Sequence, residues 1–389
     1  MRYDSIDAMA PWCALNRIFG FAPKAGLELI RHFGGAEGVF LAGERLAEVL
    51  RKDSVYYGQI TADAVRRAAA ELSDLRKEGC TFVCIDDERY PKMLRDCEDA
   101  PVGLYVKGKS GPEGMFDRHP AVAVIGTRNI TSYGREWCTR IISGLSEAGI
   151  KPVIVSGLAI GTDITAHLAA LDRGLPTIAV MATGIDAVYP FRHGWAADRI
   201  CSAEGSGLVT DYPPGTAPQA VNFIRRNRII AGLCSAVILI ESKKKGGGLM
   251  TCRLAFSYNR DVYALPGRID DECSAGCNSL IKAKMAEPVT DVGELVAALG
   301  LGGIGSGGVV DVRKYIYGRY LETEGAATAE RLAAVAYAVS RNRDATVEDI
   351  CGLVGGSYQD VSGLVGRLEV DGIIVSDLVG CCCINPKIM

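Results

Sequence analysis

From residue 121 onward the chain alternates short apolar runs with amphipathic stretches, and no other feature restricts the fold as much. AVAVIG (121–126) precedes SYGREWCTRIISGLSEAG (132–149), and VIVSG (153–157) precedes TDITAHLAALDRG (162–174). TIAVMA (177–182), LVTDY (208–212), AVILIES (236–242) and DVYALPG (261–267) continue the series. Strands apolar on both faces, separated by helices, predict an α/β fold. The expected architecture is an extended Rossmann-like parallel sheet with helices on both faces. Upstream, CTFVCI (80–85) and PVGLYVKG (101–108) read as two further strands.

A chain of 389 residues exceeds one ordinary core, so two or three domains are expected. Residues 1–75 carry helical periodicity and form an expected N-terminal helical domain. Within them Leu27, Ile30 and Phe33 fall at helical spacing before Gly34-Gly35, consistent with a helix-hairpin-helix (SAM-like) module or a small packed helical domain. The Rossmann-like domain is expected over 76–299. Segment 300–308, GLGGIGSGG, opens a glycine-rich linker over 300–314. Residues 315–389 have the cadence of a winged helix: helix, turn, second helix, LEVDG, then a small hairpin. The second helix, about 358–369, offers Arg367 against Asp360 and Glu369. A protein-interaction or dimer role therefore stands beside duplex binding for this segment.

Apolar residues make up 48% and charged residues 23%, as in soluble globular proteins. A net charge of -3 exerts no bulk pull on nucleic acid, so any polyanion site must come from local grouping of cations. The opening MRYDSIDAMAPWCALNRIFG lacks a basic stretch ahead of a clean apolar one, so no signal peptide is expected. Nor is there an apolar segment of about 18 residues, the length a membrane helix needs. Fourteen cysteines without a secretory signal point to free thiols in a reducing cytoplasm. Cys273 and Cys277, and the run Cys381–Cys383, lack the paired spacing of structural zinc, and no metal is expected.

Open parallel sheets bind ligands at the carboxyl ends of their strands, where helix N-termini present unpaired N–H groups. After 121–126 comes Gly126-Thr127-Arg128: a glycine allowing close approach, a hydroxyl, and a guanidinium able to fork onto phosphate. After the next strand come Ser156-Gly157 and Gly161-Thr162-Asp163. After AVILIES come Lys243-Lys244-Lys245-Gly246-Gly247-Gly248, leading into a helix that contains Thr251. Glycines ahead of a helix suit a phosphate cradle topped by ammonium groups. NFIRRNRIIAG (222–232) sets Arg225, Arg226 and Arg228 beside Phe223 and Asn227, as a single strand requires for phosphates and bases. A solvated helix edge gives the same pattern.

Asp163 and His167 lie one helical turn apart, an acid–base spacing, but read more simply as a helix N-terminal carboxylate and a partly buried histidine. His32, His119 and His193 have no evident partners. Tyr189-Pro190 reads as turn punctuation.

VAVIGTRNITSYG, VSGLAIGTDITAH, TIAVMATGIDAVYP, NFIRRNRIIAGLCSAVILIES, KKKGGGLMT and YALPGRIDDECSAGCNSLI occur in the order of the DNA-processing protein A (DprA/Smf) family, which this chain resembles over most of its length. The resemblance implies a cytoplasmic homodimer of natural transformation that binds incoming single-stranded DNA and loads a RecA-type recombinase, with no cofactor and no catalysis. It places the arginine of the GTR turn at Arg128, the basic–aromatic motif at Phe223, Arg226, Asn227 and Arg228, and the lysine before the glycine turn at Lys245. The chain departs from the family pattern at Ile160, where a cation is usual, and at Gly246 and Gly248, where serines are usual. Thr210-Asp211 stands in place of Ser-Glu.

Two rival readings share the fold. A nucleotide-sugar hydrolase would need a carboxylate in the helix after the glycine turn, and LMTCRLAFSYNR has none. A nucleotide-binding sensor would use the same phosphate-binding groups as a strand.

Overall fold

The computed structural model describes residues 2–116, 120–302, 312–342, 345–376 and 380–384. The chain divides into two compact units, Met1–Gly302 and Gly303–Met389. Residues 303–311, most of the expected linker, and His119 lie outside the described residues.

The first unit is organised by a nine-stranded sheet: β1 (Cys80–Cys84), β2 (Gly103–Lys107), β3 (Ala121–Ile125), β4 (Val153–Ser156), β5 (Thr177–Val180), β6 (Gly207–Thr210), β7 (Ala236–Leu239), β8 (Asp261–Ala264) and β9 (Glu287–Pro288). Their spatial order is β1-β2-β6-β5-β4-β3-β7-β8-β9. From β6 to β9 all neighbours pair in parallel, whereas β2 joins β6 and β1 antiparallel. This is the doubly wound α/β architecture expected from the sequence.

The absence of polar alternation in the strands has its explanation in the two faces. Val122 and Val124 of β3 enter one core with Ile154, Ala236 and Ile238, while Ala123 and Ile125 enter the opposite one with Val155, Val237 and Leu239. Successive side chains point to opposite faces of a strand, so two apolar layers of helices demand an unbroken apolar run. The runs visible in the sequence extend past the strands they contain: β7 stops at Leu239, yet Ile240, Glu241 and Ser242 remain buried. Burial continues beyond the hydrogen-bonded ladder because these residues line the carboxyl edge of the sheet.

The N-terminal helices share a core with that sheet. Helix Ile6–Phe19, capped by Ser5, packs against helix Ala62–Lys77, capped by Thr61. Their apolar faces meet Phe82 of β1 and Tyr105 of β2, whose rings sit edge-to-face at 5.0 Å. Each such side chain contributes about 1.5–3 kcal/mol on burial. Asn16 fastens the join: its Nδ2 donates to the Asp211 carbonyl at 2.9 Å, and its Oδ1 accepts from Gly103 N–H at 3.1 Å. Helix Pro23–Phe33 ends where Gly34 takes φ 74°, a left-handed position that favours glycine, and Ala36–Leu41 follows.

The second unit holds helix Val312–Arg341, kinked at Gly325, then Val347–Val354 and Tyr358–Val370. A two-stranded hairpin follows, β10 (Ile374–Ser376) with β11 (Cys382–Ile384), and Ala345 bridges to Cys382. Its own core gathers Ile316, Leu332, Val361, Leu368 and Ile374. Among the described residues no helix is long and apolar enough to cross a membrane.

Arg228 and Asp211 form a buried ion pair at 2.5 Å, with side chains 8% and 5% exposed. Removing one partner of such a pair leaves a charge stranded out of water. Asp211→Ala is expected to lower stability by about 3–5 kcal/mol in urea unfolding. Asp211→Ala/Arg228→Met should recover a large part of that loss, and an unchanged midpoint in the single variant would refute the pair's role.

Candidate nucleic-acid interface

In the parallel part of the sheet the chain winds outward from β3 through β4, β5 and β6, then returns to the other side of β3 for β7, β8 and β9. The connections after β3 and β7 thus diverge and leave a crevice at the switch point, where such sheets bind ligands. A cleft of about 670 Å³ opens there. It is lined by the turns after β3, β4 and β7 and by one face of helix Ala220–Leu233.

Hydrogen bonds fix each turn. After β3, the Thr127 carbonyl accepts from Thr162 N–H at 3.1 Å and Oγ1 at 3.2 Å. The buried Glu241 accepts from Thr131 N–H at 2.9 Å and Thr131 Oγ1 at 2.5 Å, drawing the same loop onto the end of β7. After β4, Asp163 accepts from Gly157 N–H at 3.2 Å and Ala159 N–H at 3.4 Å. After β7, Gly246 N–H donates to the Lys243 carbonyl at 3.0 Å and starts helix Gly247–Ser257, which has no side-chain cap. First-turn amides of such a helix lack intrahelical acceptors and favour an anion.

The cations are arranged in depth. Arg226 forms the floor at 4% exposure, donating to the Gly157 carbonyl at 2.7 Å and to that of Val180. Burial pulls its pKa below the ordinary arginine value, opposed by the charge of Asp163. Burial likewise raises the Asp163 pKa, opposed by Arg226. At the rim, the exposed Arg128 lies over the Phe223 ring at 5.1 Å, and Tyr189 meets that ring edge-on at 5.4 Å. In the turn after β7 Lys245 is exposed, whereas Lys243 is bound to Glu272 at 2.7 Å.

Of the residues singled out in the sequence, Gly126, Thr127, Arg128, Phe223, Arg226, Asn227, Lys245, Gly246, Gly247 and Gly248 converge on the cleft. Ser156, Gly157, Arg225 and Arg228 do not line it. Ser156 is buried, with its hydroxyl donating to the Val124 carbonyl at 2.7 Å. Gly157 lies behind the Arg226 guanidinium, which a Cβ would meet at 2.5 Å. Arg225 covers Phe21 at 4.3 Å and donates to the Phe21 carbonyl at 3.0 Å and the Gly20 carbonyl at 2.5 Å, fastening the N-terminal helices. Arg228 is committed to Asp211 and the Asp99 carbonyl. Helical periodicity separates these last two from Phe223, Arg226 and Asn227, which share a face.

Sequence reasoning missed Tyr189, taken for turn punctuation, and Asn129. No pattern marked either one. Asp163 and His167 behave as structural groups: His167 is buried, with Nδ1 2.7 Å from Thr177 Oγ1. His32 pairs with Glu48 at 2.9 Å, and His193 Nδ1 donates to the Leu158 carbonyl at 2.8 Å. No group of His, Cys, Asp and Glu is placed to hold a metal ion among the described residues.

Fold and site define a doubly wound α/β protein with a crevice at its switch point, lined by cations and by the start of a helix. The chain belongs to the DNA recombination-mediator protein A family, whose sequence model matches residues 81–300. It is 34% identical over 293 residues to protein Smf of Synechocystis sp., covering 75% of this chain and 72% of the relative. Over 225 residues it is 42% identical to DNA processing protein DprA of Streptococcus pneumoniae, covering 57% and 76%. The crystal structure of the S. pneumoniae protein matches with a TM-score of 0.58 at 32% identity, over 76% of this chain and 98% of that one. DNA processing protein A of Helicobacter pylori, whose single-stranded DNA binding mode has been described, matches with a TM-score of 0.50 at 27% identity, over 57% and 95%.

Burial pushes the His167 pKa down from 6.5 to about 3, so the native ring stays neutral while the unfolded chain gains a proton below 6.5. Where the unfolded state binds more protons, stability rises with pH and is lost as the pH falls. The free energy of unfolding is expected to decline between 6.5 and 3 with a component of about 1.4 kcal/mol per pH unit from this one ring. His167→Gln should remove that component from the pH series, and an identical slope would show that the ring does not titrate as stated.

Proposed function

We propose that this protein binds single-stranded DNA in the switch-point cleft, without sequence preference, and passes the strand to a RecA-type recombinase during DNA uptake in natural transformation. The reading includes a cytoplasmic homodimer. One observation carries it: a single cleft joins helix N-terminal amides and rim cations to a cation–aromatic stack of Arg128, Phe223 and Tyr189. Amides and cations suit phosphates, and aromatic faces suit unpaired bases of any sequence. Family membership and the described binding mode of the H. pylori relative support the same reading.

Residues 315–389 fit this scheme as a winged helix that contacts protein. The cation on its second helix, Arg367, is engaged by Glu324 at 3.2 Å and Asp371 at 3.3 Å, which leaves little there to hold duplex phosphate. A hydrolase is disfavoured because the one carboxylate in the cleft lining, Asp163, has its Oδ2 engaged by two backbone amides.

Fluorescence anisotropy with labelled single-stranded and duplex oligonucleotides across a salt series tests the proposal. Tight, salt-steep binding of the single strand over the duplex is the expected result; a shallow slope with mononucleotide competition would favour a nucleotide sensor. Arg128→Ala is expected to weaken strand binding by about 1–3 kcal/mol and to reduce the salt slope by about one unit. Unchanged affinity would remove Arg128 from the site.

A further inference from the structure

Three aromatic side chains stand in solvent on the segment that follows β5: Tyr189 is 46% exposed, Phe191 92% and Trp195 53%. Scattered exposed apolar residues are ordinary, but three aromatics within 189–195 form a patch. The segment is pinned. His193 Nδ1 donates to the Leu158 carbonyl at 2.8 Å, and Val188 packs against the core beneath. A 3-10 turn over Phe191–His193 runs straight into helix Gly194–Ser202, so Phe191 and Trp195 are separated by about one helical turn.

The segment reaches the cleft through Tyr189. Tyr189 lines the cleft and meets Phe223 there. Two residues of chain span at most about 7 Å, which limits how far the Phe191 backbone can stand from that of Tyr189. Between the aromatics, Arg192 is exposed and has no ion-pair partner among the described residues. The order along the chain is thus aromatic, aromatic, cation, aromatic.

We propose that Phe191 and Trp195 form a base-stacking ledge that extends the cleft, with Arg192 meeting phosphate of the same strand. The inference rests on the single-strand reading of the cleft. A strand is the occupant because the ledge adjoins that cleft and interleaves a cation with aromatic faces, as unpaired nucleotides require. Bases leaving the Arg128–Phe223–Tyr189 stack would find the next faces within reach.

The test uses the full chain and a length series of oligothymidines, comparing the unsubstituted protein with Phe191→Ala/Trp195→Ala. Both positions are exposed, and matching unfolding midpoints would establish that the variant is folded. The variant should equal the unsubstituted protein on the shortest strand bound and be about tenfold weaker on long ones. Long strands should quench the emission of Trp195, read as the difference from Trp195→Phe, whereas an abasic strand of equal length should not. Equal affinity at every length, with the unsubstituted protein binding normally, would overturn the ledge and leave the cleft reading intact. Equal affinity accompanied by loss of self-association would overturn it too, by assigning the patch to a second copy. Failure of the unsubstituted protein to bind any strand would sink the cleft reading itself.

Discussion

Arg226 carries a charge almost wholly removed from water, at 4% exposure, and the geometry of the cleft depends on how that charge is satisfied. A buried guanidinium is tolerable only when its donors find acceptors and a counter-charge lies near. The carbonyls of Gly157 and Val180 accept from it, and Asp163 supplies the negative charge. Those groups end β4, end β5 and begin helix Thr162–Asp172. One side chain from helix Ala220–Leu233 therefore ties three elements of the sheet edge together. Asp163 in turn holds the amides of Gly157 and Ala159, so the floor is a closed network of protein groups. Preorganisation of this kind spares binding the ordering cost that a loose loop would impose.

The sheet and its switch point were legible because both leave strong marks. Two-sided burial forces apolar runs, and close approach at strand ends forces glycines such as Gly126 and Gly161. The latter holds φ 87° against the carbonyls of Thr127 and Arg128. The basic helix was only half legible. In sequence Arg225, Arg226 and Arg228 form one block; on a helix they separate, and the spacing of Phe223, Arg226, Asn227 and Ile230 was the available signal for the cleft face. Tyr189 carried no signal, because its position depends on how the 181–194 segment folds back over the sheet edge. The join between the N-terminal helices and the sheet domain was likewise hidden: Asn16 and Arg225 act across 195 and 204 positions of sequence, distances no local pattern spans.

With a net charge of -3, any attraction for a polyanion would fall to a few groups. Many of the chain's basic side chains are neutralised locally, as Lys243 is by Glu272 and Arg228 by Asp211. Arg128 and Lys245 line the cleft as exposed cations, together with the buried Arg226. A cleft with low-dielectric walls concentrates the field of such groups, so a globally acidic protein can still present a positive slot.

The departures from the family pattern at the glycine turn have a physical account in this chain. A Cβ at Gly246 would collide with the Ser242 hydroxyl, and one at Gly248 would meet Leu239 Cδ1 at 2.7 Å. Ser242 lines the cleft and donates from its hydroxyl to the Lys243 carbonyl at 3.0 Å. The space a serine at 246 would need is therefore already held by a hydroxyl from the preceding turn. Glycine at both positions keeps the first-turn amides of helix Gly247–Ser257 open, and Ser242 keeps a hydroxyl beside them. The turn thus keeps open amides and a hydroxyl side by side, the groups that a phosphate would need.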